Sequence, residues 1–326
     1  MTHRERVRAA IKGQDVDRVP VSMWRHFFSE ETSADSLAGA MVGFQRRYDW
    51  DFMKINPRAS YHVEDWGVRL KYEGDDAPRV IETPIKSAAD WLDIEVLDIR
   101  RGALGEQLKS LQLIARELRG DVPFIMTVFT PLSIASRLVD SESDFLKYLR
   151  EDWDKVVYAM EVIAETFTSF SKACLETGAS GLFFASTTWA TADRFTEDEY
   201  RYWSKPFDLK ILNSLPDDGF SVMHVCGDNI LLNAVHDYPV QAFNWDARKK
   251  GNPSLVEGKS MVNGRAVIGG IAHDRTLVES SPEILRSEIT GMRIGLGDKG
   301  WFLGPGCTFP PETPDGNIQA IREAVK

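Results

Sequence analysis

Cysteine is scarce in this chain. Of 326 residues only Cys174, Cys226 and Cys307 are cysteine, an odd, sparse set that excludes a disulfide framework and suits a reducing cytoplasm. Positive charge is also in deficit: 39 Lys and Arg face 49 Asp and Glu, for a formal net charge of −10. So acidic a chain offers no broad basic surface, and neither nucleic acid nor an anionic membrane is expected as a partner. Long apolar runs are missing too, none reaching the ~18 residues of a membrane span. The opening MTHRERVRAAIKGQ is charged from its third residue, so no signal-peptide core is expected. Low-complexity tracts, linkers and a Gly-rich phosphate fingerprint behind any candidate strand are absent as well. What remains is an acidic cytoplasmic chain, 43% hydrophobic, with material for a large core.

Eight short runs rich in β-branched or aromatic residues read as strands. They are RVPVSMW (18–24), DFMKIN (51–56), PFIMTVF (123–129), GLFFAS (181–186), SVMHVC (221–226), AFNWD (242–246), AVIGGI (266–271) and WFLGPGC (301–307). Between most of them lie amphipathic stretches, 29–48, 104–118, 144–177, 196–215 and 282–295. Capping signals open two of these, Ser281-Pro282 and Thr196 with Glu199 three residues on. Eight strands alternating with helices predict a (β/α)₈ TIM barrel spanning 1–326 as one domain. Two additions are expected: HRERVRAAIKGQ as a helix across the barrel floor, and WGVRLKYEGDDAPRVIETPI (66–85) as a β-hairpin around a GDD turn. The hairpin follows the second strand and should overhang the barrel mouth.

In a barrel of this kind the working groups sit at the C-terminal strand ends. Read in order, those ends carry Trp24, Arg25 and His26; Asn56; Phe129 and Thr130; residues 187–189, ending in Trp189; His224 and Cys226; Asp246; His273 and Asp274; and Cys307. In SVMHVCGDN, His224 and Cys226 share a face because side chains alternate with period two. Cys307 lies some eighty residues further on, yet barrel closure brings both ends to one mouth. His and Cys are ligands zinc prefers, and Asp246 could add an oxygen. A lone His or Cys in a strand is more often packing, and Cys174 in FSKACLET is read that way. His3, His62 and His236 are read as surface residues. For the converging three, metal binding and packing both stay open on spacing alone.

The pair HVCGD and GPGCTFPPETPDGN resembles the signature of the uroporphyrinogen decarboxylase superfamily, and within it of the zinc-dependent, corrinoid-linked methyltransferases (methylcobalamin:coenzyme M methyltransferase-like). The segments DRVPV, YDWDFMKINP, TVFTPLSIASRLV, GASGLFF and VIGGIAHDRTL resemble that superfamily's first, second, third, fourth and seventh strands. The resemblance implies a (β/α)₈ barrel with zinc on His224, Cys226 and Cys307. It also implies a fourth ligand, often Glu in the family, at Asp246 in FNWDARK, one methylene shorter. Methylcobalamin or another corrinoid is implied as co-substrate. No D-x-H-x-x-G corrinoid-carrying motif occurs here, so the corrinoid would arrive free or on a separate corrinoid protein.

The departures weigh against decarboxylation. True uroporphyrinogen decarboxylases carry an arginine-rich RQAGRY-type segment after the first strand and a Gly-His-Gly near the last. This chain has VSMWRHFFSEE, with Arg25 alone, and LGPGC. A many-fold carboxylate would be poorly compensated there. Two Cys thiolates and a neutral His leave bound Zn²⁺ formally uncharged, so a substrate thiolate arriving there keeps its nucleophilicity. Methyl transfer between a corrinoid and a small-molecule acceptor or donor is therefore the expected activity. The alternatives are a tetrapyrrole carboxy-lyase and a non-catalytic zinc- or corrinoid-binding partner. Trp24, Arg25, Asn56 and Trp189 are expected to line the substrate pocket. His273 is expected to bind substrate or act as an acid–base group, and Gly269, Gly270, Gly304 and Gly306 to permit close backbone approach.

Overall fold

Short buried runs of Val, Ile, Met and Phe are too apolar on both faces for a half-exposed sheet, and the chain winds them into a parallel one covered by helices. The computed structural model describes residues 1–325; Lys326, the end of the expected 1–326 domain, lies outside the described residues. The strands are β1 (Met53–Ile55), β2 (Arg69–Lys71), β3 (Arg79–Glu82), β4 (Phe124–Phe129), β5 (Gly181–Ala185), β6 (Val222–His224), β7 (Ala242–Asn244), β8 (Ala266–Ile271) and β9 (Trp301–Pro305). Seven of them form one parallel sheet in the order β1-β4-β5-β6-β7-β8-β9, and β2-β3 is a separate antiparallel hairpin. The sheet closes on itself as a TIM-type α/β barrel.

Closure falls to the run expected as the first strand, and it does so irregularly. Val21 makes a single parallel bridge to Leu303. Ser22 N–H donates to the Leu303 carbonyl at 3.1 Å, and Leu303 N–H to the Pro20 carbonyl at 2.9 Å. Pro20 has no N–H to give. Toward β1 the only backbone bond runs from Asp51 N–H to the Val21 carbonyl. Side chains replace the missing rungs: Asp51 accepts from Val21 N–H at 2.8 Å and Ser22 Oγ donates to the Phe52 carbonyl at 2.7 Å. Eight strand positions thus circle the barrel, although only seven are regular strands.

The interior is filled by Trp24, Phe52, Ile125, Phe183, Phe220, Val222, Ile268 and Phe302. Phe52 meets Phe220 and Phe302 edge-on, with ring centroids 5.1 and 5.8 Å apart, a favourable aromatic geometry. Val7 and Ala10 join this cluster, so the helix His3–Ile11 plugs the floor as expected. Arg6 ties that helix down through Asp17 at 2.7 Å and buried Asp51 at 2.7 Å. A second apolar layer packs the helices onto the outside of the sheet.

Helix boundaries follow local chemistry. Thr196 and Glu199 form the expected capping box, and Ser281 caps the helix Pro282–Leu296. The stretch 196–215 is broken into Glu197–Trp203 and Lys205–Leu212, because Pro206 is tolerated only in the first turn of a new helix. The stretch 144–177 is likewise two helices, Glu142–Glu151 and Trp153–Glu176. Among the described residues no helix is long and apolar enough to cross a membrane. The tip of the hairpin, Asp75 and Asp76, lines a cavity with Arg25, His26 and Pro311, so the insertion stands over the C-terminal side of the barrel as expected.

Candidate metal centre

His224 ends β6, and the extended pairing carries on past it. Ser186 N–H donates to the His224 carbonyl at 3.0 Å, Val225 N–H to the Asn244 carbonyl at 3.0 Å, and Cys226 N–H to the Thr187 carbonyl at 3.1 Å. This keeps residues 224 and 226 on the same inner face. Cys307 follows the end of β9, where Gly306 N–H donates to the Ile271 carbonyl at 2.9 Å. A Cβ on Gly306 would lie 2.5 Å from Asp246 Cβ and 2.7 Å from Asp246 Cα. Only glycine lets this turn close against the end of β7 and swing Cys307 inward.

The outcome is one cluster. The Cys226 and Cys307 sulfurs are 3.8 Å apart. The ligand atoms of His224, Cys226 and Cys307 all lie within 4.8 Å of one another. His224 is buried and the two cysteines are half-buried. The Cys226 thiol donates to Cys307, and that bond, aided by His224, holds the Cys307 thiol well below its ordinary range; Cys226 is pushed up correspondingly. The pair is thus built to carry negative charge on sulfur.

The imidazole is oriented for ligation by a residue the sequence reading missed. Asn244 is fully buried, and its Nδ2 donates to the Ile268 carbonyl at 2.9 Å and the Pro305 carbonyl at 3.1 Å. With both N–H groups committed, its Oδ1 can only accept, so His224 Nδ1, 2.6 Å away, must be the donor. That leaves the Nε2 lone pair free for a metal. The residues fit a zinc ion: one imidazole in a fixed tautomer and two adjacent sulfurs, one of which already favours the thiolate.

Asp246 lies beside this cluster but outside it. Its Oδ2 is 2.9 Å from His273 Nδ1, close but off the hydrogen-bonding direction, and its Oδ1 accepts from Arg248 N–H at 2.9 Å. Burial opposes both charges, yet their mutual attraction outweighs it, lowering the Asp246 pKa and raising that of His273, which also feels Cys307.

The other expected pocket residues divide. Asn56 is buried under the mouth, donating to Thr308 Oγ1 at 3.3 Å and accepting from Lys54 Nζ at 3.1 Å. Arg25 is half-buried, donates to the Pro311 carbonyl at 2.6 Å and lies over the Phe27 ring. Trp24 is sealed inside the barrel against Phe52 and Phe183. Trp189 is packed into the outer core against Phe145 and Phe195, its Nε1 donating to Ser136, and does not line the mouth. His62, expected on the surface, is buried against Phe129; burial pushes its pKa down to about 3. Cys174 is buried packing as expected, its thiol pushed up by burial. Lys54 was also missed, although its spacing from Asn56 in β1 puts both on the inner face.

Comparison with known proteins places the chain as a whole. The uroporphyrinogen decarboxylase (URO-D) family model matches residues 2–326. A methylcobamide:CoM methyltransferase, MtaA, from Methanosarcina barkeri is 24% identical, the match covering 98% of this chain and 96% of the relative. A uroporphyrinogen decarboxylase from Alkalilimnicola ehrlichii is 22% identical, with 98% and 93% covered. The solved structure of a methyltransferase from Methanosarcina mazei superposes with a TM-score of 0.85 at 21% identity over 99% of this chain and 98% of that one, which establishes the shared fold. These relatives are enzymes of two kinds, methyltransferases and decarboxylases, and by the match along its length this chain is a member of the uroporphyrinogen decarboxylase family.

Proposed function

We propose that this chain is a zinc-dependent methyltransferase that moves a methyl group between a corrinoid and a small molecule, with a thiol the favoured acceptor. The observation that carries this reading is the cluster of His224, Cys226 and Cys307, whose donor atoms lie within 4.8 Å of one another at the barrel mouth. Zinc held by His224 Nε2 and the two sulfurs would supply a Lewis-acidic centre of no net charge, at which a thiol loses its proton and keeps its nucleophilicity. Asn244 fixes the imidazole for that task, and Gly306 lets Cys307 reach it. Asp246 is the candidate fourth donor. To serve, its carboxylate would exchange His273 for the metal, which suits a position that substrate must also occupy. In transfer toward a thiol, the corrinoid would supply the methyl group and keep the electron pair of its carbon–cobalt bond, while His224, Cys226 and Cys307 would hold the zinc that activates the thiol. A corrinoid-carrying motif is absent from the sequence, so the corrinoid would be supplied free or by a separate protein in the cytoplasm.

The named relatives support methyl transfer and decarboxylation alike. One feature of the mouth bears on the choice: Arg25, the arginine where a carboxylate-rich substrate would need several, is already engaged by the Pro311 carbonyl and the Phe27 ring. The deciding experiment incubates zinc-loaded protein with methylcobalamin and a panel of thiols and follows loss of the methylcobalamin spectrum. Zinc-dependent demethylation with at least one thiol is expected. Turnover of a tetrapyrrole carboxylate by metal-free protein would replace this reading with the carboxy-lyase. Tight zinc with neither demethylation of methylcobalamin by any thiol nor methylation of reduced cobalamin by a phenolic methyl ether would leave a non-catalytic partner.

A further inference from the structure

Lys54 has no part in the metal cluster, yet it is the least explained charge in the barrel. It sits in β1 with its side chain inward and is only 4% exposed. Among the described residues its Nζ has one hydrogen-bond partner, Asn56 Oδ1 at 3.1 Å, and it lies 4.9 Å from the centroid of the Phe183 ring. Neither neighbour carries charge. A buried ammonium with a single neutral partner is costly, and such groups are normally paired with a carboxylate. Desolvation accordingly pulls its pKa down to about 7, against the opposing pull of Cys307 and Glu31. Glu31 is already spent: its carboxylate binds His26 at 2.6 Å, Phe27 N–H at 2.9 Å and Ala59 N–H at 2.9 Å.

The surroundings point the charge at the metal centre. Phe183, under the Lys54 ammonium, also stacks on the His224 imidazole with centroids 4.9 Å apart. Asn56, its other neighbour, reaches Thr308 beside Cys307 at 3.3 Å. Both contacts of Lys54 therefore lead to residues that carry or adjoin the three donors. With two thiolates and a neutral imidazole around a divalent ion, the centre would have no net charge, and an anionic ligand added to it would leave one negative charge at a largely buried site. Uncompensated, that charge is as costly as the unpaired ammonium.

We propose that Lys54 is the counter-charge of this centre, a specificity-determining residue that selects ligands taken up as anions, thiolates above all, over neutral donors. This rests on the zinc reading above. Pairing the two charges relieves both. A methylated product, a neutral thioether, makes no claim on the ammonium and leaves more easily. The proton lost by the thiol passes to solvent where Lys54 is already charged, and in part to Lys54 near pH 7.

The test uses the full chain loaded with Co²⁺ in place of zinc, whose visible absorption reports ligand exchange, with 2-mercaptoethanol and azide as probes. Mercaptoethanol carries no charge apart from its sulfur. Wild type, Lys54→Met, Lys54→Gln and Lys54→Arg are compared, with metal stoichiometry and melting temperature as fold controls. Two neutral variants are included so that misfolding of one leaves the other to decide. In wild type at about pH 5.5, where Lys54 is charged before the ligand arrives, about one proton is expected to be released per thiol bound. Both neutral variants should keep the metal and bind thiol and azide at least tenfold more weakly, with Lys54→Arg restoring most of the affinity. Unchanged anion binding in a folded, metal-loaded Lys54→Met or Lys54→Gln protein overturns the proposal and leaves the zinc reading intact. Azide binding that depends on Lys54, without any thiol binding, supports the counter-charge and sinks the thiol reading instead. A metal-loaded wild type that takes up neither probe overturns both.

Discussion

Replacing Asn244 by Ala removes three hydrogen bonds from a fully buried position. They are the 2.6 Å contact from His224 Nδ1 and the donations of 2.9 and 3.1 Å to the Ile268 and Pro305 carbonyls. At roughly 1 kcal/mol net for each, plus about 1–3 kcal/mol for stranding the buried His224 N–H, the folded state should lose about 4–6 kcal/mol. Metal affinity should fall as well, because the imidazole is no longer held in the tautomer that presents Nε2. Loss of such an outer partner costs about 10–100-fold, or about 1.4–2.8 kcal/mol. Asn244→Asp separates the two roles. Its carboxylate still accepts from His224 but cannot donate to the carbonyls, so stability should drop while zinc affinity stays within a fewfold of wild type. The assay is competition for zinc against a chromophoric chelator, with melting curves of the metal-free proteins. A folded Asn244→Ala protein that holds zinc as tightly as wild type would refute the assigned tautomer.

Two further predictions rest on other parts of the structure. Gly306→Ala places a methyl group against the Asp246 backbone and should cost about 1–3 kcal/mol by overpacking; it should also weaken zinc binding at least tenfold by pushing Cys307 outward, and a chelator titration indistinguishable from wild type would contradict this. Asp208 is buried among Tyr238, Ser204 and Tyr200, and burial raises its pKa to about 7 from an unfolded value near 4. A raised carboxyl favours the folded state when protonated, so its contribution is full below about pH 4 and is lost as pH rises through 7, up to ~4 kcal/mol. Asp208→Asn should therefore melt with a flatter pH dependence than wild type between pH 5 and 8; parallel profiles would rule the effect out.

Much of the fold was legible because period and position carry it. The H-x-C parity in residues 224–226 placed two donors on one face, and barrel closure supplied the third at Cys307. The irregular run at Pro20–Ser22 was legible as extended chain, but not its side-chain rungs, because Asp51 and Ser22 reveal their hydrogen bonds only in three dimensions. Asn244 and Lys54 were missed for different reasons. Asn244 shares a face with Asp246 by spacing of two, but an amide is weighed less than a carboxylate when ligands are sought. Lys54 sits in an apolar strand where a lysine reads as a solvated edge, although its spacing of two from the strand-end Asn56 turns it inward with that residue. Trp189 illustrates the opposite error: a strand-end position does not fix direction once the backbone turns, and at Thr187 φ is +48°. His62 reads as a surface residue because nothing local marks the short helix Tyr61–Glu64 as buried.

X-ray absorption at the zinc edge, on protein purified without oxygen, tests the three-donor centre most directly. About one zinc per chain is expected, with two sulfurs at about 2.3 Å and one imidazole nitrogen at about 2.0 Å. A Cys226→Ser, Cys307→Ser double variant should lose that ion. A protein without stoichiometric zinc, or a double variant that keeps it, would contradict the assignment of His224, Cys226 and Cys307 as its ligands.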